Sequence, residues 1–229
     1  GHFLIAAIDR IEAMMRDFLA EPTTQVPSVN AELLRLAASA KEALGKDETA
    51  IGEIEPAALL RRQIARRCIY GLDINPIAVE LARLAIWIHT FVPGLPMSSL
   101  DHGLVCANSL TGIGTIDEAM NALVPEREFG QIVTFEHVIE SQLEESKSLL
   151  AEVAASSEAS KKEVTAAALK ALQARVAAQP AKEIMDAAVV ARLGHFDPRT
   201  IEDETALIRV AGSELVSRAA ASLCPAHFP

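Results

Sequence analysis

The stretch Cys68-Ile69-Tyr70-Gly71-Leu72-Asp73-Ile74-Asn75-Pro76 runs from apolar residues through a glycine to an acid and then to Asn-Pro. A short apolar run bounded in this way reads as a buried strand of a parallel sheet. Asn75 suits an N-cap, and Pro76 suits the first helical position, where its missing N–H costs nothing. A helix is therefore expected from Ile77 to about Phe91, with Ile77, Leu81, Leu84, Ala85 and Ile88 on the face turned to the sheet. An acid at the C-terminal tip of a parallel strand points into the crevice where nucleotide-like ligands bind. A carboxylate only accepts hydrogen bonds, so Asp73 suits a ribose diol, which offers two O–H donors. The competing reading is an ordinary strand–helix turn with a solvated Asp73.

The 229 residues allow one large domain or two small ones. Half the residues are apolar but only 4% are aromatic, and Ala is abundant, a balance that favours helix packing over a β-sandwich or barrel. Glu80, Arg83 and His89 interrupt the longest apolar stretches, so no membrane span is expected. No signal peptide is read at the start of the chain. Cys68, Cys106 and Cys224 are odd in number, widely spaced and set among apolar residues. They read as reduced core residues of a cytoplasmic protein, with no zinc-ligand pattern and no metal expected. The net charge is −10, with 13 acids against 10 bases before residue 116 (−3) and 18 against 11 after it (−7). Neither part has the basic balance of a self-sufficient nucleic-acid binder.

Phe3, Ala7, Ile11, Met14, Met15 and Phe18 recur at helical spacing, and Pro22 and Pro27 end that helix. A second helix is expected from about Asn30 to Leu44, with Leu33, Leu36, Ala37 and Ala40 inward and Gly45 as the stop. Residues 46–55 read as a loop. Pro56 opens a third helix to about Arg67, on which Leu59, Leu60 and Ile64 are apolar. Its Arg61, Arg62, Arg66 and Arg67 read as a solvated face or as phosphate contacts. Pro93-Gly94-Leu95-Pro96 is a rigid turn, and Leu104–Ala107 a second short strand. Residues 133–178 hold no Gly or Pro. Ile139, Leu143, Leu150 and Val153 make one stripe, and Leu169, Leu172 and Val176 another. A helical hairpin with its turn at Ser156–Ser160 is preferred over one continuous arm. Pro180 is expected to start a further helix to about Leu193, and Thr200 to cap a last one through about Leu223. The end, Cys224–Pro229, reads as extended.

Three segments taken in order resemble the amino-type adenine DNA methyltransferases, most nearly the large methylases of type IIG restriction-modification and phage-exclusion systems. Gly1-His2-Phe3-Leu4 looks like the tail of the family's Gly-rich loop. Tyr70-Gly71-Leu72-Asp73-Ile74-Asn75-Pro76 looks like its second motif, and Leu100-Asp101-His102 with Cys106-Ala107-Asn108-Ser109-Leu110 looks like its third. The resemblance covers about residues 1–115. It implies an α/β fold, an incomplete Rossmann-like core that is mostly α-helical in these residues, with a helical insertion at about 21–67 and a helical region over 116–229. That insertion follows from the gap between Gly1 and Asp73, far longer than the roughly 20 residues of a compact nucleotide fingerprint. The family's Asn/Asp-Pro-Pro-aromatic motif does not occur in the sequence, whose only Asn-Pro is residues 75–76.

The implied reaction is methyl transfer from S-adenosylmethionine to the N6 amine of a flipped adenine in DNA. The sulfonium is already an activated donor, so the chemistry needs positioning and electrostatics, without a nucleophile or metal. The implied cofactor contacts are Gly1 and Phe3 near the methionine end, Asp73 on the ribose, and Ile74 and Asn108 at the adenine. No catalytic residue is expected, since the base-binding motif is missing, and these residues alone are expected to be inactive. DNA is the expected partner of the parent enzyme, and helices within 133–222 are expected to dock a partner protein or recognition domain. Two other readings stand beside this one: a Rossmann-like unit for another adenine nucleotide, and a helical interaction module. His2, Asp101, His102 and Trp87 read as surface, loop or core residues.

Overall fold

The computed structural model describes residues 2–21, 23, 26–45, 48–52, 54–98, 100, 103–110, 112–124, 129–195, 197–200 and 204–223. The expectations placed on Gly1, Asp101, His102 and Cys224–Pro229 lie outside these residues. The chain is mostly helical, with a small two-stranded parallel sheet. The order is α1 (His2–Ala20), α2 (Pro27–Leu44), α3 (Glu48–Gly52), α4 (Pro56–Cys68), β1 (Gly71–Asp73), α5 (Pro76–His89) and β2 (Leu104–Cys106). There follow α6 (Ile116–Leu123), α7 (Phe129–Ala155), α8 (Lys161–Arg192), a 3-10 turn at Pro198–Thr200, α9 (Glu204–Ala211) and α10 (Glu214–Leu223). Two compact units result: Gly1–Gly71 with Pro76–Val105 and Glu152–Ala171, and Leu72–Asn75 with Cys106–Ala151 and Leu172–Pro229.

In the first unit, α2 buries Leu36 and Ala40 against Leu59, Val92, Leu95 and Ala159, with Leu33 and Ala37 packed alongside. That is the face the spacing on α2 predicts. Pro27, expected to end α1, instead opens α2 as its first helical residue, and Gly45 closes α2 at φ 63°. Helix α4 buries Leu59, Leu60 and Ile64 as expected.

Of its arginines only Arg67 is exposed as a solvated face would require; Arg61 is half-buried and Arg62 and Arg66 are buried. Arg62 and Arg66 are each only 2% exposed, Arg61 lies between Glu12 and Glu55, and Arg67 reaches Glu32. Apart from Glu55, the partners Glu12, Glu32 and Glu158 are distant in sequence, so the local run of bases gave no sign of them.

Two helices are rotated from the faces their spacing suggested. Helix α1 buries Ile8 and Glu12 and leaves Phe3, Met14 and Phe18 exposed. Helix α5 buries Val79, Ala82 and Ile86, whereas Ile77, Leu81, Leu84 and Ile88 are 49–67% exposed. Helix α5 is apolar almost all round, so periodicity alone cannot say which side turns inward. Packing with α1 decides it, with His89 Nε2 2.6 Å from Asp9 Oδ1 at the contact. Trp87 is half-buried and meets Phe91 edge-on at 6.0 Å.

Strand β1 spans only three residues and is not the buried strand expected: Ile69 before it is buried, but Tyr70, Leu72 and Asp73 are exposed. With one neighbouring strand, most of its surface stays in water. Cys68 is exposed and Cys106 half-buried, so neither is a core cysteine.

The second unit is built on small residues. Ala119, Met120, Leu123, Ile139, Ala181, Ile184, Ala187, Ala188, Val190, Leu207 and Val216 form one core. The hairpin is present, with a break at residues 156–160 between α7 and α8. Ile139 and Val153 are buried as expected. On α8 before Pro180, however, the buried positions are the alanines Ala167, Ala171 and Ala174, and the Leu169, Leu172 and Val176 stripe is exposed. Alanines let helices approach closely, a packing gain that a search for large apolar residues overlooks.

Pro180 does not start a helix; α8 continues through it. Pro180 and Val176, whose carbonyl loses its donor, are both exposed residues, so water can replace the missing bond. The last helix is two, because Gly212 interrupts it and Ser213 Oγ accepts from the Val216 N–H at 3.3 Å to cap α10. Helix α6 opens the helical region expected over 116–229, and Thr115-x-x-Glu118 before it reads as a capping box. Thr115 Oγ1 accepts from the Glu118 N–H (3.2 Å) and Glu118 Oε2 from the Gly114 N–H (2.9 Å). Thr115→Ala is expected to cost about 1 kcal/mol, read from the urea midpoint.

Candidate functional site at the strand tips

Strands β1 and β2 run parallel, so their C-terminal ends lie side by side. The pairing starts with the Gly71 N–H donating to Gly103 O at 2.8 Å and ends with the Ala107 N–H donating to Asp73 O at 3.0 Å. Beyond the last pair, Cys106 Sγ donates to Ile74 O at 3.5 Å. Asp73 and Ile74 on one strand end are thereby brought beside Cys106, Ala107 and Asn108 on the other.

Each tip is shaped by its own side chain. Asp73 Oδ1 accepts the Asn75 N–H at 2.8 Å, which turns the chain sharply into α5 at Pro76. Asn108 Oδ1 accepts the Leu110 N–H at 2.9 Å, and Asn108 O accepts from Gly112 at 3.2 Å. Arg192 Nη2 donates to Gly112 O at 3.1 Å, tying this turn to the end of α8. Asp73 is exposed, Asn108 half-buried, and Ile74 46% exposed. An ionised carboxylate has about four lone-pair directions, so the turn leaves Asp73 able to accept further donors. Asn108 carries both a carbonyl and an amide NH₂, the complement of a heterocycle edge that accepts and donates. Ile74 presents an apolar surface between them in sequence. The arrangement suits a ligand with a hydroxyl-bearing part and a flat nitrogenous part.

Within the first unit, close packing fixes where the two strands begin. A Cβ on Gly103 would stand 2.6 Å from Ile69 O, so only glycine lets the start of β2 lie against the chain entering β1. Arg83 Nη2 donates to Leu104 O at 2.5 Å and holds β2 to α5. Neither residue was singled out in the sequence; Gly103 before a strand was a usable signal, whereas Arg83 gave none. Phe3 lies in this unit, 83% exposed in the first turn of α1, whose neighbouring Leu4 comes within 3.9 Å of a Cβ built on Gly71. Among the described residues no group of three or more His, Cys, Asp and Glu could hold a metal ion. No helix among them is long and apolar enough to cross a membrane.

Comparison with known proteins finds no family model that matches the chain and no significantly similar curated protein or solved structure.

Proposed function

We propose that this chain carries the nucleoside-binding part of an S-adenosylmethionine-dependent methyltransferase acting on adenine N6 in DNA. One observation carries the reading: Asp73, Ile74 and Asn108 converge at adjacent C-terminal tips of two parallel strands. Ligand sites of open α/β sheets lie at that end. Asp73 would accept the ribose hydroxyls, Ile74 would pack on the adenine ring, and Asn108 would hydrogen-bond its edge. Gly1 and Phe3 are assigned to the methionine end by the sequence resemblance alone. DNA is the partner, and the acidic balance of these residues leaves most phosphate contacts to other parts of the enzyme. No Asn/Asp-Pro-Pro-aromatic segment occurs among the 229 residues, so by themselves they are assigned no methyl transfer.

The test is transfer of radiolabelled methyl groups to unmethylated DNA by the protein as encoded in its genome. The expected product is N6-methyladenine, and Asp73→Ala should raise the KM for S-adenosylmethionine by roughly tenfold or more, as for loss of a hydrogen-bonded charged contact. A cytosine product, or an unchanged KM, sinks the reading. The 229 residues alone should bind S-adenosylmethionine weakly or not at all in a calorimetric titration. The exposed Leu169, Leu172 and Val176 stripe on α8 favours a second reading, a helical module that docks a partner protein.

A further inference from the structure

Helix α4 and the turn between α7 and α8 are joined through a set of polar groups beside one apolar contact, Ala159 in the cluster with Leu59, Leu36 and Ala40. Arg66 Nε lies 3.0 Å from Glu158 Oε2, with the two side chains 1% and 0% exposed. Arg66 Nη1 donates to Ser156 O at 3.1 Å and Nη2 to Ser156 Oγ at 3.3 Å, while Arg62 Nη2 donates to Glu158 O at 3.1 Å. Glu158 thus receives one arginine on its carboxylate and the other on its backbone carbonyl. It does so with φ at 50°, the one non-glycine residue in the left-handed region among those described. That conformation is unfavourable for a residue with a Cβ and persists only where its surroundings enforce it. The turn also holds itself together: Glu163 Oε2 accepts the Ala159 N–H at 2.8 Å, Ser160 Oγ accepts the Glu163 N–H at 3.3 Å, and Arg35 pairs with Glu163 at 2.5 Å.

The apolar contribution is small by comparison. The buried apolar side chains of the Glu152–Ala171 segment are Val153, Ala159, Ala167 and Ala171. The closed arrangement also carries costs. Among the described residues, Arg62 Nε has no hydrogen-bond partner. Burial, only partly offset by Glu158 and aggravated by Arg66, pushes the Arg62 guanidinium down to about 10.

We propose that Arg62, Arg66 and Glu158 form a clasp, and that the Glu152–Ala171 tip of the α7–α8 hairpin opens and recloses on α4 as a unit while α1, α2 and α5 stay folded. A tip held by a few buried charges and little apolar surface separates in one step, because losing one partner leaves the other charge stranded. Opening lets water reach the two arginines and relaxes Glu158 from its left-handed conformation. Segments that open at lower free energy than the surrounding core are the usual moving parts of a fold. The clasp makes the hairpin such a part.

Native-state hydrogen exchange of the whole chain, followed by mass spectrometry, tests this. In Glu158→Gln and in Arg66→Met, amides of residues 152–171 should exchange about a hundredfold faster or more, the scale of a broken buried pair. Amides of α1, α2 and α5 should change by less than about threefold, as expected of an independently protected region. Equal acceleration in all these helices would overturn the proposal, since the pair would then belong to one cooperative core. Unchanged exchange at 152–171 would overturn it as well. Should both variants fail to fold, Ser156→Ala, which strands no carboxylate, decides by the same selectivity at about fivefold or more, the loss of one acceptor to a charged donor.

Discussion

Ile86→Ala is expected to lower the stability of the first unit by about 2–5 kcal/mol, whereas Ile88→Ala is expected to change it by less than about 0.5 kcal/mol. The two isoleucines lie two positions apart on α5 and differ only in what covers them: Ile86 is fully buried and Ile88 is 61% exposed. Truncating Ile86 removes three buried carbons and leaves a cavity that its neighbours fill only partly. Truncating Ile88 removes surface that water already reaches. Urea unfolding of the two variants side by side gives the answer. Equal losses would mean that α5 also packs through its Ile77, Leu81, Leu84 and Ile88 side, as the sequence spacing suggested. A small gain in solubility for Ile88→Ser is expected from the same exposed face.

Gly103→Ala is expected to cost about 1–3 kcal/mol, and more if the strand pair cannot relax. The φ of Gly103 is outside the left-handed region, so the cost is steric. The new methyl group would sit 2.6 Å from Ile69 O, a backbone atom that cannot swing aside. Relief requires moving β2 away from the chain entering β1, which weakens the Gly71–Gly103 hydrogen bond of 2.8 Å. Gly52 is the control. Nothing lies within 4 Å of its notional Cβ, so Gly52→Ala should leave the midpoint unchanged or raise stability by up to about 1 kcal/mol. If both substitutions behave alike, the close approach at Gly103 is not what fixes the strands.

At the candidate site, the order of short apolar run, polar residue and turn was legible in the sequence, whereas the exposure of β1 was not. Asp73 and Asn108 each follow a short apolar run and precede a turn, and both use a side-chain oxygen to make that turn. Local chemistry sufficed, because a strand end and an Asx-type turn are set by neighbours within two residues. The convergence of the two tips needed pairing between residues more than thirty positions apart, and the sequence could only suggest it. What held the strands in register, Arg83 on Leu104 O and Gly103 against Ile69, is long-range and left little local trace.

Helix positions followed from proline, glycine and capping chemistry, and α2, α4 and the hairpin break fell close to where those signals put them. The misplaced ends have the same origin: Pro27 starts a helix where it was read as ending one, and Pro180 is carried inside α8. A proline marks a missing donor, and only the surroundings decide whether water or a helix start makes up for it. The sequence by itself therefore determined the ends near α2, α4 and the hairpin break, which depend on backbone donors, acceptors and φ preferences close at hand. It did not determine α3, which falls in a stretch read as a loop, or the split of the last helix. The tertiary structure alone decided which side of α1, α5 and α8 is buried and that Arg62 and Arg66 close on Glu158. A helix apolar on two faces, or a charge whose partner lies ninety residues away, has no local preference, and burial and pairing are settled only when the distant surfaces meet.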